Sequence, residues 1–556
     1  MTARTDRRDI LDAGAGSARD ISPATELARA LPALRVSDDP ADRVAYARDL
    51  WPRHHLAVRA GNVAEHRPGG IVWPRTTLEV AAIVKWAAQT RTPLVPFGAG
   101  SGVCAGVLPR EDVVVVDLKK MARWRKLDVD APSLDVESGQ MGMPLEEELN
   151  RRGFTLGHFP SSILCSTVGG WVAARSAGQN SGYYGKIEDM VLELECVTGT
   201  GEIVTLKNRT DGPNLIPLVV GSEGTLAIVT SSTLRLHPYP SSRGFAAWSL
   251  PSTEHGWEAM RAVFQAGLRP AVARLYDPFD AMLARMGAVK RPARAGGAKA
   301  HAPGLGTAAL RSVLRQPALM NEVIDAMGGR VLGGAMLLMI FEGVGEAPAR
   351  EAERARAIIE ASGSGGGNGG GGTYVGEGPA RRWLQHRYSV SYRQAPMFAS
   401  GAFVDTMEVA AKWSNLRALY DGVRHALGKH VFVMAHFSHA YPDGCCIYFS
   451  FAGSAAKGQA RAREAGWDAA CEETYDRTWR AALDAAVAAG GTLAHHHGVG
   501  RSKAPRMGTE LGAGVDVVRA LQRAFDPHGI LNPGNLLPPP DPTPYTPDAH
   551  AAQVVS

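Results

Sequence analysis

The first informative feature of the chain is an alternation of short apolar runs and amphipathic segments that begins near residue 70. Residues 71–74 (IVWP) and 92–98 (TPLVPFG) have the composition of buried strands, whereas residues 76–90 (TTLEVAAIVKWAAQT) repeat apolar side chains at helical spacing. The same pattern continues with strands at 113–121, 133–139, 190–199 and 201–206 and a helix at 143–153, and it ends with a strand at 227–236. The alternation predicts an α/β domain of about 170 residues, an ordinary domain size.

The length of the chain, 556 residues, favours two large domains over one hydrophobic core. Longer helical segments follow residue 240, at 254–267 and 466–489. We therefore predict an N-terminal extension at 1–60, a first domain at 61–240, a second α+β domain at 241–499, a closing segment at 500–540 and a flexible tail at 541–556. Two inserts, 291–307 and the glycine-rich 362–372, have compositions that bury little surface and are predicted to be flexible.

Composition narrows the class of protein. Hydrophobic residues make up 45% and charged residues 21%, as in ordinary globular proteins. The net charge of +5 comes from 60 basic and 55 acidic residues, which argues against a nucleic-acid partner. The six cysteines form no CxxC pair, and no uncharged apolar run reaches the roughly 18 residues of a membrane span. A cytoplasmic location is predicted, and peripheral membrane contact and a homodimer are left open.

Three glycine-rich turns lie at the ends of predicted strands. The first, PFGAGSGVCAG, contains Gly98, Gly100 and Gly102, whose missing side chains let backbone N–H groups approach a diphosphate. It lacks the GxGxxG of a dinucleotide turn and the GKS or GKT of a P-loop. A serine-rich and glycine-rich segment at 160–191 and the turn GSEGTL at 221–226 supply two more. One such turn is explained by a tight strand connection, but three in one domain indicate a cofactor site.

These motifs carry a resemblance. PFGAGSGV, STVGGW, YGKIEDMV and GSEGTL, in this order and spacing, resemble the PCMH-type FAD fold of the vanillyl-alcohol oxidase superfamily. The resemblance implies an α+β protein in which a two-subdomain FAD-binding domain precedes an α+β cap domain, with FAD held non-covalently. It also implies that the closing segment, with FDPHGILNPGNLL at 525–537, returns to the FAD domain. The implied cofactor-binding residues are Pro96, Gly98, Ala99, Gly100, Ser101, Gly102, Ser166, Thr167, Gly169, Gly170, Glu223, Thr225 and Ile228.

A run of three histidines, His495, His496 and His497, lies in GGTLAHHHGVGRSK. In an extended strand the first and third would face one way and the second the other, so the three would not share one role. Metal binding is disfavoured for the same reason, and no metal is predicted. The string resembles the HHHGVG run of the alkylglycerone-phosphate synthase family, whereas related hydroxyacid dehydrogenases usually carry an EHG-type sequence there. The alternative without a catalytic role is that the three residues form a histidine cluster on the protein surface.

The resemblance also implies roles in the second domain. Arg393 in SYRQ and Arg274 in ARLYD would hold a substrate phosphate, and Tyr448 in CIYF would abstract a proton, with the three histidines moving protons. Each has a structural explanation as well: Arg393 could pair with a cap carboxylate, and Tyr448 alternates with its neighbours as any sheet residue does. The roles of His436 and His439 are left unassigned.

The implied reaction exchanges the acyl group of acyl-glycerone phosphate for a fatty alcohol in ether-lipid synthesis, without net oxidation. The alternative enzyme is an FAD-dependent oxidase or dehydrogenase of a 2-hydroxy acid or alcohol, in which Arg393 would hold a carboxylate. A third hypothesis is a flavin-fold protein that has lost catalysis and serves as a binding subunit. The intact glycine turns and the histidine run argue against it.

Overall fold

The computed structural model describes residues 21–63, 66–209, 211–287, 314–362, 372–388, 394–456, 458–459 and 465–538. The chain forms two compact units. Unit 1 contains residues 1–177, 186–238 and 496–556, and unit 2 contains residues 178–185 and 239–495. Both the predicted inserts, apart from residues 362 and 372, and the predicted tail at 541–556 lie outside the described residues.

Unit 1 contains a four-stranded sheet, a five-stranded sheet and a two-stranded ribbon. Its strands are β1 (Val36–Ser37), β2 (Gly70–Val72), β3 (Leu94–Phe97), β4 (Val114–Asp117), β5 (Trp124–Asp128), β6 (Ser133–Glu137), β7 (Phe154–Thr155), β8 (Val191–Thr198), β9 (Ile203–Lys207), β10 (Ala227–Arg235) and β11 (His237–Pro238). The strand orders are β1-β2-β4-β3, β5-β6-β10-β8-β9 and β11-β7. The strands β2, β4 and β3 are parallel, and the five-stranded sheet is antiparallel throughout.

The helices of unit 1 lie between and after these strands. They are Pro23–Ala30, Pro40–Ala45, Arg53–Arg59, Thr77–Thr90, Gly142–Arg151, Val168–Ala174, Ile187–Met190, Ile216–Val219, Gly500–Lys503, Met507–Leu511 and Gly514–Phe525, with 3-10 turns at Leu118–Lys120, Ile163–Cys165 and Ala504–Arg506.

The helix Thr77–Thr90 shows how the sequence pattern becomes packing. Thr76 caps its N-terminus by accepting a hydrogen bond from the backbone N–H of Glu79, at 3.2 Å. Val80, Ile83 and Val84 recur at helical spacing and are buried in the core that includes β2, β3 and β4. The predicted helix at 76–90 is confirmed.

The closing segment pairs with β3. The backbone N–H of Leu94 donates to the carbonyl of Ile530 at 2.7 Å, and the N–H of Asn532 donates to the carbonyl of Leu94 at 2.8 Å. Ile530 and Leu531 enter the same hydrophobic core. This pairing extends the parallel part of the sheet by a residue that lies more than 400 positions away in sequence.

Unit 2 is built on one seven-stranded antiparallel sheet of order β15-β12-β14-β13-β17-β18-β16. Its strands are β12 (Ser242–Leu250), β13 (Val272–Tyr276), β14 (Ala335–Gly343), β15 (Thr373–Tyr374), β16 (Phe403–Lys412), β17 (Phe432–Ala440) and β18 (Gly444–Gly453). Its helices are Ser181–Tyr184, Thr253–Gln265, Pro278–Gly287, Pro317–Leu332, Ala347–Ser362, Gly378–His386, Ala395–Ala399, Leu416–Gly428 and Trp467–Ala488, with a 3-10 turn at Trp413–Asn415. The predicted α+β class is confirmed.

The two faces of β18 differ. Ile447, Phe449 and Phe451 are buried, and the Phe449 ring stacks on Tyr420 of the helix Leu416–Gly428. Tyr448 and the alternate residues that follow it are partly accessible. One face of this strand therefore belongs to the core, and the other is available for chemistry. Among the described residues, no helix combines the length and apolar character that crossing a bilayer would require.

Candidate active site

The first glycine turn, after β3, packs directly against the second. A Cβ atom on Gly98 would lie 2.4 Å from the Oγ1 atom of Thr167, so no larger residue fits there without movement. Gly100 adopts a φ of +65°, and a Cβ atom on it would lie 2.7 Å from the ring of Phe97. Both glycines are needed for the shape of the turn.

The second turn leads into the helix Val168–Ala174. The hydroxyl of Thr167 caps this helix by accepting the N–H of Gly170, at 3.3 Å. A Cβ atom on Gly169 would lie 2.6 Å from the Cβ atom of Ser138. The hydroxyl of Ser138 is buried and has no hydrogen-bond partner among the described residues. It is a polar group of the kind that a ligand satisfies.

The third turn holds the loop that follows the histidine run. The buried Glu223 carboxylate accepts the N–H groups of Val499, at 2.5 Å, and Gly500, at 2.8 Å. Burial raises the pKa of this carboxyl group to about 7, although the two N–H groups oppose the shift. A Cβ atom on Gly224 would lie 3.0 Å from Pro96 of the first turn. The structure thus brings together three turns that are far apart in sequence.

These features fit FAD. Glycines in these turns carry no side chain that would cover their N–H groups, which leaves those groups for a diphosphate. The Ser138 hydroxyl has no partner within the part of the chain that the structure describes, so a ligand could supply one. The predicted residues Ala99, Ser101, Gly102, Ser166, Thr225 and Ile228 lie in or beside the same three turns. Their individual contacts with the cofactor stay predictions.

Replacing Gly100 with valine is expected to lower the FAD content of the purified protein. A branched side chain disfavours a φ of +65° and would collide with Phe97, so the turn would have to move. The measurement is the ratio of flavin absorbance to protein. Gly153→Val is the control, because Gly153 also has a positive φ, +83°, but no atom within 4 Å of its Cβ position. Equal FAD content in both variants would contradict the assignment of the first turn.

The chemistry-bearing side chains of unit 2 form a row across its sheet. Tyr276 of β13 is paired with His436 of β17, His436 with Tyr448 of β18, and Tyr448 with Glu408 of β16. Arg274 lies two residues before Tyr276 and therefore on the same face. The register of four strands thus collects a cation, a histidine, a phenol and a carboxylate.

Tyr448 lies within hydrogen-bonding distance of a histidine. Its hydroxyl oxygen lies 3.0 Å from the Nε2 atom of His439, and its ring stacks on His436 with centroids 4.7 Å apart. Burial raises the pKa of Tyr448 well above its ordinary value, Glu408 adds to the rise, and the Arg274 charge opposes it. Turning this phenol into a base therefore needs help from its neighbours.

Of the two arginines predicted to bind the substrate, Arg274 lies among the described residues. Its guanidinium group lies 5.4 Å from the ring centroid of Tyr276 and 5.8 Å from that of Trp383. Its buried Nε atom has no hydrogen-bond partner among the described residues. Burial lowers the pKa of His436, and the positive charge of Arg274 lowers it further. Arg393, the other predicted substrate-binding residue, lies outside the described residues.

The histidine run is an irregular bend and not a strand, so the argument from strand faces does not apply to it. The run is divided between the two units. The ring of His495 lies in unit 2, 5.8 Å from that of His439 and 5.6 Å from that of Tyr441. The rings of His496 and His497 contact each other in unit 1, with centroids 4.6 Å apart. His495 therefore lies beside His439, the residue that meets the Tyr448 hydroxyl.

Glu408, Cys446 and His495 have possible ligand atoms within 4.8 Å of one another. The buried Glu408 carboxylate, however, accepts the backbone N–H of His495 at 2.8 Å and the thiol of Cys446 at 3.7 Å. The Glu408 carboxylate therefore has hydrogen-bond partners within the protein and supports the backbone at His495. The prediction of no metal is untested.

Sequence reasoning left His439 unassigned and did not single out Ser181. His439 has a φ of +52° and lies at a break in the pairing of β17 with β18. Ser181 belongs to a short segment of unit 2, residues 178–185, that residues of unit 1 flank on both sides in the sequence. The signal available in the sequence was the short SHAYPDG segment, whose polar residues interrupt a strand. This segment indicates a bend, but it does not show which histidine contacts Tyr448.

Comparison with known proteins supports these observations. The model of the FAD-linked oxidase C-terminal domain matches residues 239–536, and that of an FAD-binding domain matches residues 68–207. Alkyldihydroxyacetonephosphate synthase of Trypanosoma brucei brucei is 28% identical over 520 residues, covering 91% of this chain and 78% of the relative. The enzyme of that name from Dictyostelium discoideum is 27% identical, covering 91% and 79%.

A solved structure of alkyldihydroxyacetonephosphate synthase superposes with a TM-score of 0.71 at 24% identity, covering 94% of this chain and 88% of that one. The predicted fold, an FAD-binding domain of PCMH type followed by an α+β cap domain, is confirmed. FAD is the cofactor, and the protein is an FAD-dependent enzyme with a small-molecule substrate. Because the C-terminal domain model covers more than half of the sequence, the chain belongs to the family of FAD-linked oxidases.

Proposed function

We propose that this enzyme exchanges the acyl group of an acyl-glycerone phosphate for a fatty alcohol, as alkylglycerone-phosphate synthases do. The observation that carries the proposal is the HHHGVG run, whose His495 lies beside the partner of Tyr448. Support comes from relatives named for this reaction that align with 91% of the chain.

The residues divide the work by their chemistry. Arg274, and Arg393 by resemblance, attract the substrate phosphate through charge-assisted hydrogen bonds. Tyr448 removes a proton from C1 and returns it to the same carbon before the product leaves. The bond from C1 to the ester oxygen breaks, a bond from C1 to the alcohol oxygen forms, and the alcohol proton leaves with the fatty acid, so nothing is oxidised. Bound FAD would accept electron density from C1 and return it within the same turnover.

The test is an anaerobic incubation of the yellow protein with acyl-glycerone phosphate and a fatty alcohol. The proposal expects an ether product while the flavin spectrum stays oxidised. The alternative, oxidation of a 2-hydroxy acid or alcohol, is favoured by the family name alone and expects bleaching of the flavin by that substrate. Bleaching without ether product would overturn the exchange.

FAD is expected to leave the protein on acid precipitation. The first turn, Gly98–Gly102, contains no cysteine or histidine that could form a bond to the flavin. The measurement is the flavin absorbance of supernatant and pellet after trichloroacetic acid treatment, with boiled protein as a second release method. A yellow pellet that survives washing would show a covalent link.

Contact with a membrane and a homodimer are proposed together with this function. Long acyl chains and fatty alcohols partition into bilayers, so an enzyme that uses both gains from working at a membrane surface. Co-sedimentation with phospholipid vesicles tests the contact, and light scattering after gel filtration tests the dimer. Protein that stays in the supernatant at every lipid concentration would remove the membrane contact.

A further inference from the structure

A chain of hydrogen bonds leads away from Tyr448 inside unit 2. The Tyr448 hydroxyl lies 3.0 Å from His439 Nε2, and His439 Nδ1 lies 2.8 Å from the Ser181 hydroxyl. The Ser181 hydroxyl lies in turn 3.2 Å from that of Tyr441. His439 and Ser181 are buried, whereas Tyr448 is partly accessible. The chain therefore begins at a partly accessible phenol and continues through two buried side chains, His439 and Ser181.

His439 is held in a conformation that few residues adopt. Its φ of +52° lies in the left-handed region, at a bulge where the pairing of β17 with β18 shifts between Ser438 and Ala440. A bulge redirects a side chain that regular pairing would place elsewhere. Non-glycine residues in this region concentrate at functional sites, because the surrounding structure has to hold them there.

Ser181 is fixed by its own neighbours. It begins the short helix Ser181–Tyr184, and the residues on either side of its hydroxyl are tied to β14. The Asn180 amide donates to Glu342 at 3.2 Å, and the Tyr184 hydroxyl donates to the same carboxylate at 2.9 Å. The Ser181 hydroxyl beside His439 Nδ1 is thus in a defined position.

His436, the other histidine beside Tyr448, is oriented differently. It stacks face to face on Tyr448, at an interplanar angle of 15°, so its ring nitrogens point along the ring plane and not at the phenol. Its Nδ1 atom lies 3.3 Å from Asp280. Of the two histidines, His439 is the one whose nitrogen meets the Tyr448 hydroxyl.

We propose that His439 is the positioning residue of Tyr448, taking the phenolic proton at Nε2 while its Nδ1–H donates to Ser181. The Tyr448 oxygen is then free to receive a proton from the substrate, and the resulting imidazolium stabilises the phenolate beside it. In the exchange reaction the proton taken from C1 returns to carbon at the end of the cycle. The inference uses the proton removal of the proposed function, but it holds for oxidation as well.

The test compares His439→Asn with the parent FAD-loaded enzyme. Asparagine tolerates a positive φ and so keeps the bulge, but its amide cannot carry a proton. We expect kcat to fall by roughly 10²–10³-fold, within the usual contribution of acid and base groups, with KM and FAD content near the parent values. Ser181→Ala should lower kcat by less, about tenfold, because it removes only the support of the tautomer.

The control pair is Ser252 and His255, which make the same kind of hydrogen bond, 2.7 Å long, at an exposed helix start. His255→Asn and Ser252→Ala should leave kcat unchanged. If His439→Asn does not fold, His439→Gln replaces it. Added imidazole should restore part of the rate of His439→Gly, which a purely structural role would not allow.

Deuterium exchange from C1 of acyl-glycerone phosphate, without alcohol present, separates the two proposals. Parent enzyme that oxidises a hydroxy acid and exchanges no C1 deuterium overturns the proposed function, and the His439 variants are then compared on hydride transfer. His439→Asn or His439→Gln that keeps the parent rate within about twofold overturns the inference, whichever substrate is used.

A second readout needs no turnover. In FAD-loaded enzyme labelled with 13C at tyrosine Cζ, the Tyr448 signal is identified by its absence in Tyr448→Phe. It should move in His439→Asn and stay in place in His255→Asn. An unmoved signal would show that His439 does not contact the phenol in solution.

Discussion

Replacing Tyr448 with phenylalanine is expected to lower turnover by roughly 10²–10⁴-fold, the usual contribution of a general base. Phenylalanine keeps the ring that stacks on His436, so folding and FAD binding should survive. The loss has to come from the hydroxyl, which is the atom that meets His439 and lies on the accessible face of β18. The measurements are turnover with both candidate substrates, flavin content and melting temperature on the same variant.

Tyr420→Phe is the matched control. Tyr420 packs on the other face of the same sheet, against Phe449, where no substrate is proposed to bind. Losing one phenolic hydrogen bond there should cost about 0.5–1.5 kcal/mol of stability and leave turnover unchanged. Turnover of Tyr448→Phe close to that of Tyr420→Phe would show that the base is another group, and His495, His496 and His497 would be tested next.

The FAD-binding half of the molecule was largely predictable from sequence because its signals are local. Helical spacing marked the helix Thr77–Thr90, and apolar runs marked the strands around it. The glycines at 98 and 224 are each explained by a close approach to another of the three turns, and Gly169 by a close approach to Ser138. A glycine-rich motif shows that something must approach, and the structure adds which groups approach.

The proton-transfer chain was not predictable from sequence because its geometry is nonlocal. Ser181 meets His439 across 258 positions. His439 is brought to Tyr448 by a bulge, which the alternation of strand residues cannot show because the extra residue breaks the period of two. The strand argument for the histidine run fails because this segment is also shaped by a nonlocal contact. It is a bend in which the backbone N–H of His495 donates to the Glu408 carboxylate.

Replacing Gly500 with alanine is expected to destabilise unit 1 and to release FAD. Gly500 follows the histidine run at a φ of +56°, and a Cβ atom on it would lie 1.8 Å from the carbonyl oxygen of Cys104. The left-handed conformation costs alanine about 1–2 kcal/mol. The collision adds about 1–3 kcal/mol, because the obstacle is backbone and cannot rotate away.

The collision also predicts where the damage spreads. Moving Gly500 away from Cys104 breaks its hydrogen bond to the buried Glu223 carboxylate, and Cys104 lies two residues beyond the first glycine turn. The Glu223 carboxylate would keep the N–H of Val499 and the amide of Asn535 but lose one hydrogen bond in a buried site. That loss is costly, so FAD loss should accompany the fall in melting temperature. Gly529→Ala isolates the conformational part, because Gly529 has a φ of +63° and no atom within 4 Å of its Cβ position. If both variants lose the same few degrees and keep FAD, the contact with Cys104 does not hold the first turn in place.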